Sequence, residues 1–183
     1  MSYKEQDKKN ARWFAKRLLP VILFTVIALT LGRRIADKIS EKESKAERIS
    51  EIPKLNFFTL DSSAFRNTQL VYKKSAIFIH FNTTCSHCQY EAEELAKSEE
   101  ALAGIAVYMI SNEPIQFIEQ FSQEYALNNS NSVTFLKANQ NQFFETFGSS
   151  NVPDVFIYNS EGKLTKHYSG ETKIEAIIKA SKM

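Results

Sequence analysis

A single junction constrains this chain more than any other stretch. Ala76 to Phe81 reads AIFIHF, a continuous apolar run with the length and composition of a strand buried on both faces. Asn82-Thr83-Thr84 follows, then Cys85-Ser86-His87-Cys88, then Gln89 to Lys97 (QYEAEELAK), whose residues favour a helix. A strand feeding a helix through so short a link belongs to α/β architectures. It places Cys85 at a helix N-terminus, where backbone N–H groups and the helix dipole favour a thiolate. The i,i+3 spacing lets Cys88 reach back to Cys85, so the two can close a reversible disulfide. Cys85 is then the expected exposed nucleophile and Cys88 the shielded resolving thiol.

These are the only cysteines among 183 residues. Two cannot staple a disulfide scaffold, nor supply four thiolates to a zinc ion. Half a metal site, with His80 or His87 as further ligands, is the competing reading, and a pair of inert structural thiols is a third. His87 lies inside the motif and can hardly join both cysteines on one metal without strain. His80 falls in the buried strand, where a satisfied core histidine is the ordinary outcome.

Beyond Pro53 the pattern is globular. Strands are predicted at about Leu55–Leu60, Ser75–Phe81, Ile105–Ser111, Asp154–Asn159 and Leu164–Tyr168, with a weak extra one near Val133–Leu136. Helices are predicted at Cys88–Ala103, Pro114–Ala126, Asn139–Phe147 and Thr172–Ser181. Pro114 suits a first helical position, with capping residues supplied from Ser111 to Glu113. Gly104, Gly148, Gly162 and Gly170 each fall between elements, and Asn159-Ser160-Glu161-Gly162 reads as a hairpin turn. The alternation implies an α/β sandwich with a mixed central sheet flanked by helices.

The N-terminus has a different character. Residues 1–34 hold eight Lys/Arg and two Asp/Glu, a charge of +6, while the other 149 residues hold 15 and 19, a charge of −4. With the basic charge off the folded part, a nucleic-acid-binding domain has little support. Leu18 to Leu31 (LLPVILFTVIALTL) has no charged residue. Counted from Trp13, the run spans roughly 28 Å as a helix, close to a ~30 Å hydrocarbon core. Lys16 and Arg17 can snorkel, and Pro20 falls in the first turn of the run. No small-x-small cleavage site follows, and no cysteine for a lipid anchor. The expected layout is a basic cytoplasmic tail over 1–17, a single-pass transmembrane signal anchor over 18–34 and a charged linker over 35–51, either a solvated helical stalk or a flexible tether. A domain over 52–183 would then face the outside of a bacterial-type cytoplasmic membrane, by the excess of Lys and Arg before the anchor.

Phe81 through Leu95, FNTTCSHCQYEAEEL, resembles the active-site segment of the TlpA/ResA-type thiol-disulfide oxidoreductases of the thioredoxin-like superfamily. Phe81, Cys85, Cys88, Glu91 and Leu95 match the family pattern. Asn151-Val152-Pro153-Asp154-Val155-Phe156-Ile157 is similar to a second family segment, and Asn159 to Gly170 to its closing hairpin. Together they cover about residues 52–180. The resemblance implies a thioredoxin-like fold, a cis Val152–Pro153 bond facing the cysteines and docking substrate, and a Glu91 carboxylate that manages thiol protons. It implies no cofactor beyond the redox-active Cys85–Cys88 disulfide and no metal. The implied partners are protein thiols or disulfides of the cell envelope, such as apocytochrome cysteines, and a membrane electron donor or acceptor.

The departures bear on tuning. Asn82 and Thr84 stand where the family carries tryptophans, Glu93 where it carries a proline, and Ser86 where many relatives carry proline or glutamate. His87 is similar to the corresponding residue of strongly oxidising members, where a histidinium stabilises the neighbouring thiolate. A thioredoxin-fold copper-binding chaperone is the alternative function. It would use the same cysteines, with His167 as the one distant candidate ligand.

Overall fold

The computed structural model describes residues 27, 29–71 and 73–183. The expected tail over 1–17 and most of the expected anchor over 18–34 lie outside the described residues. Residues 29–48 are helical (α1) and, with the exception of Lys45, exposed along their length. The charged segment is therefore helical for most of its length. No helix among the described residues is long and apolar enough to cross a membrane.

Residues 47–183 make one compact unit. It begins a few residues earlier than the predicted 52, because Ile49 is buried and its carbonyl accepts the Tyr158 hydroxyl at 3.1 Å. Seven strands form its sheet: β1 (Phe57–Phe58), β2 (Ala64–Phe65), β3 (Ser75–His80), β4 (Ile105–Ser111), β5 (Val133–Lys137), β6 (Asp154–Tyr158) and β7 (Leu164–Ser169). Their order is β2-β1-β5-β4-β3-β6-β7. The β3, β4 and β5 strands run parallel, while β6 is antiparallel to β3 and β7 to β6. The sheet is mixed, as predicted.

Four helices follow α1: α2 (Ser86–Lys97), α3 (Ile115–Glu124), α4 (Gln142–Phe147) and α5 (Ile174–Ser181). Alternating side chains divide the core in two. Ile77, Ile79, Val107, Met109, Val155 and Ile157 pack on one face with α2, α3 and α5. On the other face Phe78, Tyr108, Phe156 and Tyr158 pack with Phe143 and Phe147 of α4. A sheet covered on both faces explains why its central strands read as unbroken apolar runs.

Several boundaries differ from the sequence reading. The α2 helix starts at Ser86, not Cys88, and gives way to turns after Lys97 rather than reaching Ala103. The first strand shrinks to two residues, Phe57–Phe58, and β2 was not foreseen. The weakly predicted strand at 133–136 is an interior one, paired with β4 on one side and β1 on the other. Pro114 is the N-cap of α3 rather than its first helical residue, and no side chain caps that end. The β6–β7 turn holds as predicted: the Gly162 amide donates to the Asn159 carbonyl, and Gly162 takes a φ of +78° that disfavours other residues.

Candidate active site

The loop between β3 and α2 is built almost entirely from polar groups. Asn82 Oδ1 accepts the Thr84 amide at 3.0 Å and the Thr84 hydroxyl at 2.7 Å, closing a local turn. The Thr83 amide and hydroxyl donate to the two oxygens of Glu113, at 2.7 and 3.0 Å. The Thr83 carbonyl accepts Gln89 Nε2 from the first turns of α2 at 2.9 Å. Asn82 thus shapes the approach to Cys85 by hydrogen bonding.

Cys85 is the N-cap of α2 and is partly exposed, and its carbonyl accepts the Gln89 amide at 3.0 Å. Its sulfur therefore stands where the helix dipole favours negative charge. Cys88, one turn on, has no exposed surface and packs among the core residues beneath α2. Both are free thiols. Burial pushes the Cys88 thiol far up, with the neighbouring Cys85 and Glu91 adding to the effect and a backbone hydrogen bond with Asn82 opposing it. The residues between them, Ser86 and His87, are exposed, as is Thr84.

The Val152–Pro153 bond is cis. Cys85 Sγ lies 3.9 Å from the Val152 carbonyl oxygen, so the two segments identified in the sequence, 67 residues apart, meet in space. Val152 is exposed and Pro153 is buried. A backbone carbonyl beside an accessible sulfur is an acceptor suited to pairing with an extended peptide.

Glu91 departs from its acidic neighbours. It is 3% exposed, whereas Glu93 on the same helix is exposed. Its Oε1 accepts the Thr172 amide at 3.1 Å, and its Oε2 is buried with no hydrogen-bond partner. Burial raises its carboxyl to about 7; the Glu171 charge pushes the same way, while the Thr172 bond and His87 oppose. A carboxyl poised there, one turn from a buried thiol, suits proton exchange near neutral pH.

The histidines separate. His87 Nδ1 lies 2.5 Å from Glu171 Oε2. His80 Nδ1 donates to the Asn151 carbonyl at 2.8 Å and the ring stacks on Phe143. It is the satisfied core histidine foreseen from the sequence. His167 Nε2 pairs with Asp154 Oδ1 at 3.0 Å and stacks on Phe156. His80 and His167 thus belong to the sheet face opposite Cys88, and only His87 adjoins the cysteines. Among the described residues, no three His, Cys, Asp or Glu side chains are grouped to hold a metal ion.

Sequence reasoning did not identify Glu113, Glu171, Thr172 or Asp154. The partners of these four lie 13 to 84 residues away in sequence, beyond any local pattern.

No protein-family model matches the chain, and no curated protein matches it by sequence. Solved structures do. A secreted Mycobacterium tuberculosis disulfide oxidoreductase homologous to E. coli DsbE aligns with TM-score 0.59 at 18% identity, over 75% of this chain and 98% of that one. A thioredoxin-family thiol:disulfide interchange protein from Chlorobium tepidum aligns with TM-score 0.59 at 17% identity, over 73% and 97%. StoA from Bacillus subtilis aligns with TM-score 0.56 at 12% identity, over 72% and 98%. The fold is thioredoxin-like.

Proposed function

We propose that this chain is a thiol-disulfide oxidoreductase of the TlpA/ResA type, which exchanges disulfides with proteins through Cys85 and Cys88. One observation carries the reading: a partly exposed cysteine at a helix N-cap, 3.9 Å from a backbone carbonyl beside a cis proline, with a second cysteine buried one turn behind it. The Cys85 thiolate attacks a substrate disulfide, forming a mixed disulfide and releasing one substrate thiolate. Cys88 then gives its proton to Glu91 and attacks Cys85 Sγ. The Cys85–Cys88 disulfide forms, and the second substrate thiolate leaves and takes up a proton. The substrate is reduced by two electrons and the cysteine pair is oxidised; the reverse sequence oxidises a dithiol. Val152 and Pro153 hold the substrate backbone beside Cys85, while Thr84, Ser86 and His87 form the polar rim it meets.

The N-terminal segment anchors the chain in a bacterial-type cytoplasmic membrane with the domain outside. The +6 charge of residues 1–34 supports this, as do the exposed apolar side chains of Leu29, Leu31 and Ile35 on α1. Envelope protein thiols or disulfides are the substrates in that compartment, and a membrane electron carrier completes the cycle.

The test is trapping. Cys88→Ser should accumulate a mixed disulfide with a model protein disulfide, whereas Cys85→Ser should form none and turn nothing over. If Cys85→Ser exchanges disulfides as fast as the unaltered chain, the proposal fails. Removal of residues 1–34 should move the protein from the membrane to the soluble fraction.

A further inference from the structure

The turn between β7 and α5 touches three separate parts of the site through three consecutive residues. The Gly170 amide donates to the Pro153 carbonyl at 2.9 Å. Glu171 holds His87 through a 2.5 Å contact between Oε2 and Nδ1. The Thr172 amide donates to Glu91 Oε1 at 3.1 Å. The two helix residues so engaged, His87 and Glu91, are four apart in sequence and lie on the same side of α2. The turn therefore lies along the flank of α2 next to Cys88, joining the cis-proline segment to the motif helix.

We propose that Glu171 is a positioning residue for the thiol-disulfide step: it fixes the His87 side chain, and the two together balance the charge acting on the Glu91 carboxyl. The inference rests on the reading that Glu91 accepts the Cys88 proton.

The Glu91 oxygen bonded to Thr172 is occupied, and the other is buried and unpartnered. A proton leaving Cys88 thus has one vacant oxygen to occupy. The charges that act on Glu91 are those of Glu171, which favours its protonated form, and His87, which favours its ionised form. Cys88 completes the set, because Glu91 in turn opposes ionisation of that thiol. Lys173, Glu175 and Lys179 are the other charged residues of the turn and α5, and none of them contributes to the charges on Glu91. Glu171 and His87 thus act on one carboxyl with opposite sign, while bonded to each other. If Glu171 is lost, Glu91 loses a repulsion, which favours the ionised carboxylate, while His87 loses the anion that supports its positive charge, which opposes. The repulsion is the larger of the two, so the net change favours the ionised carboxylate. Loss of His87 does the reverse.

The experiment is a carbon-13 NMR titration of the Glu91 side-chain carboxyl in the full-length reduced protein, assigned by the signal missing from Glu91→Gln. Unaltered protein should titrate near about 7. Glu171→Gln should lower the midpoint by roughly half a pH unit, the modest size expected of a partly exposed charge, and His87→Gln should raise it. Shifts in opposite directions support the proposal. Two unchanged midpoints, or two shifts of the same sign, overturn it, since a merely structural role for the turn would move both alike. A protein with the opposite shifts but no disulfide exchange would defeat the proposed function alone; exchange with unmoved midpoints would defeat this inference alone.

Discussion

Both hydrogen-bond donors of Thr83, its amide and its hydroxyl, end on the carboxylate of Glu113, which arrives from the far end of β4. The approach to Cys85 is therefore held by a side chain 28 residues beyond it. Hydrogen bonds to a charged group contribute about 1.5–3 kcal/mol each when truncated, and less where water can replace them. Glu113→Ala should destabilise the chain by about 2 kcal/mol in urea unfolding, and Glu113→Gln, which keeps one acceptor oxygen, by about half as much. Equal losses in the two variants would show that the carboxylate geometry is not what holds the loop.

Glu91 makes stability depend on pH. Its carboxyl is raised from about 4.5 to about 7, so the folded chain binds this proton more tightly than the unfolded chain. That contribution is complete below about pH 4.5, drains as pH rises towards 7 and is absent above it. At about 1.4 kcal/mol per pH unit the full swing is about 3 kcal/mol. Measured between pH 4.5 and 8.5, the stability difference between Glu91→Gln and the unaltered chain should move in favour of the glutamine by that order. A flat difference would mean the carboxyl titrates normally. Glu91→Gln should also slow release of a mixed disulfide, which single-turnover measurements with quenching would detect.

Asp154 follows the cis proline with zero exposure, bonded to His167 through one oxygen only. His167→Ala removes that partner and the ring stacked on Phe156. A loss of about 2–3 kcal/mol is expected, because a buried carboxyl is left without a hydrogen bond. Adding Asp154→Asn should recover part of it, since an amide carries no charge to desolvate. Thermal unfolding of the single and double variants gives the answer, and a double variant less stable than His167→Ala would contradict the account.

The two thiols should differ sharply towards alkylating reagents. Cys85 is partly exposed and Cys88 has no exposed surface. Under native conditions Cys85 should react on the order of 10² times faster, with the difference vanishing in denaturant. Peptide mapping after a short pulse of iodoacetamide measures both rates.

What could be seen in the sequence was local. The AIFIHF run and the helix-forming residues after Cys88 placed a strand and a helix, and their junction placed Cys85 at the N-cap. Val152–Pro153 stood out because a proline heads a β-like run. The sequence could suggest that Glu91 differs from Glu93, but only the fold shows why, since the helix turns Glu91 inward beneath Thr172. The α2 end was overestimated because Ser98 to Ala103 has helical composition yet must turn at Gly104 to enter β4. The β1 strand was legible only as part of a longer run, and β2, with two residues, left no pattern. Glu113, Glu171 and Asp154 act on residues brought near by sheet pairing and loop placement, which neither spacing nor composition encodes.

The enclosure of Cys88 also decides how the chain meets chemical damage. A peroxide in the surrounding fluid can reach one sulfur here, not two. Oxidation of Cys85 yields a sulfenic acid one helical turn from a protected thiol, which condenses with it to form the Cys85–Cys88 disulfide and water. The injury resolves into the same disulfide that the proposed exchange forms. Concealing one thiol thereby gives the other a built-in means of repair.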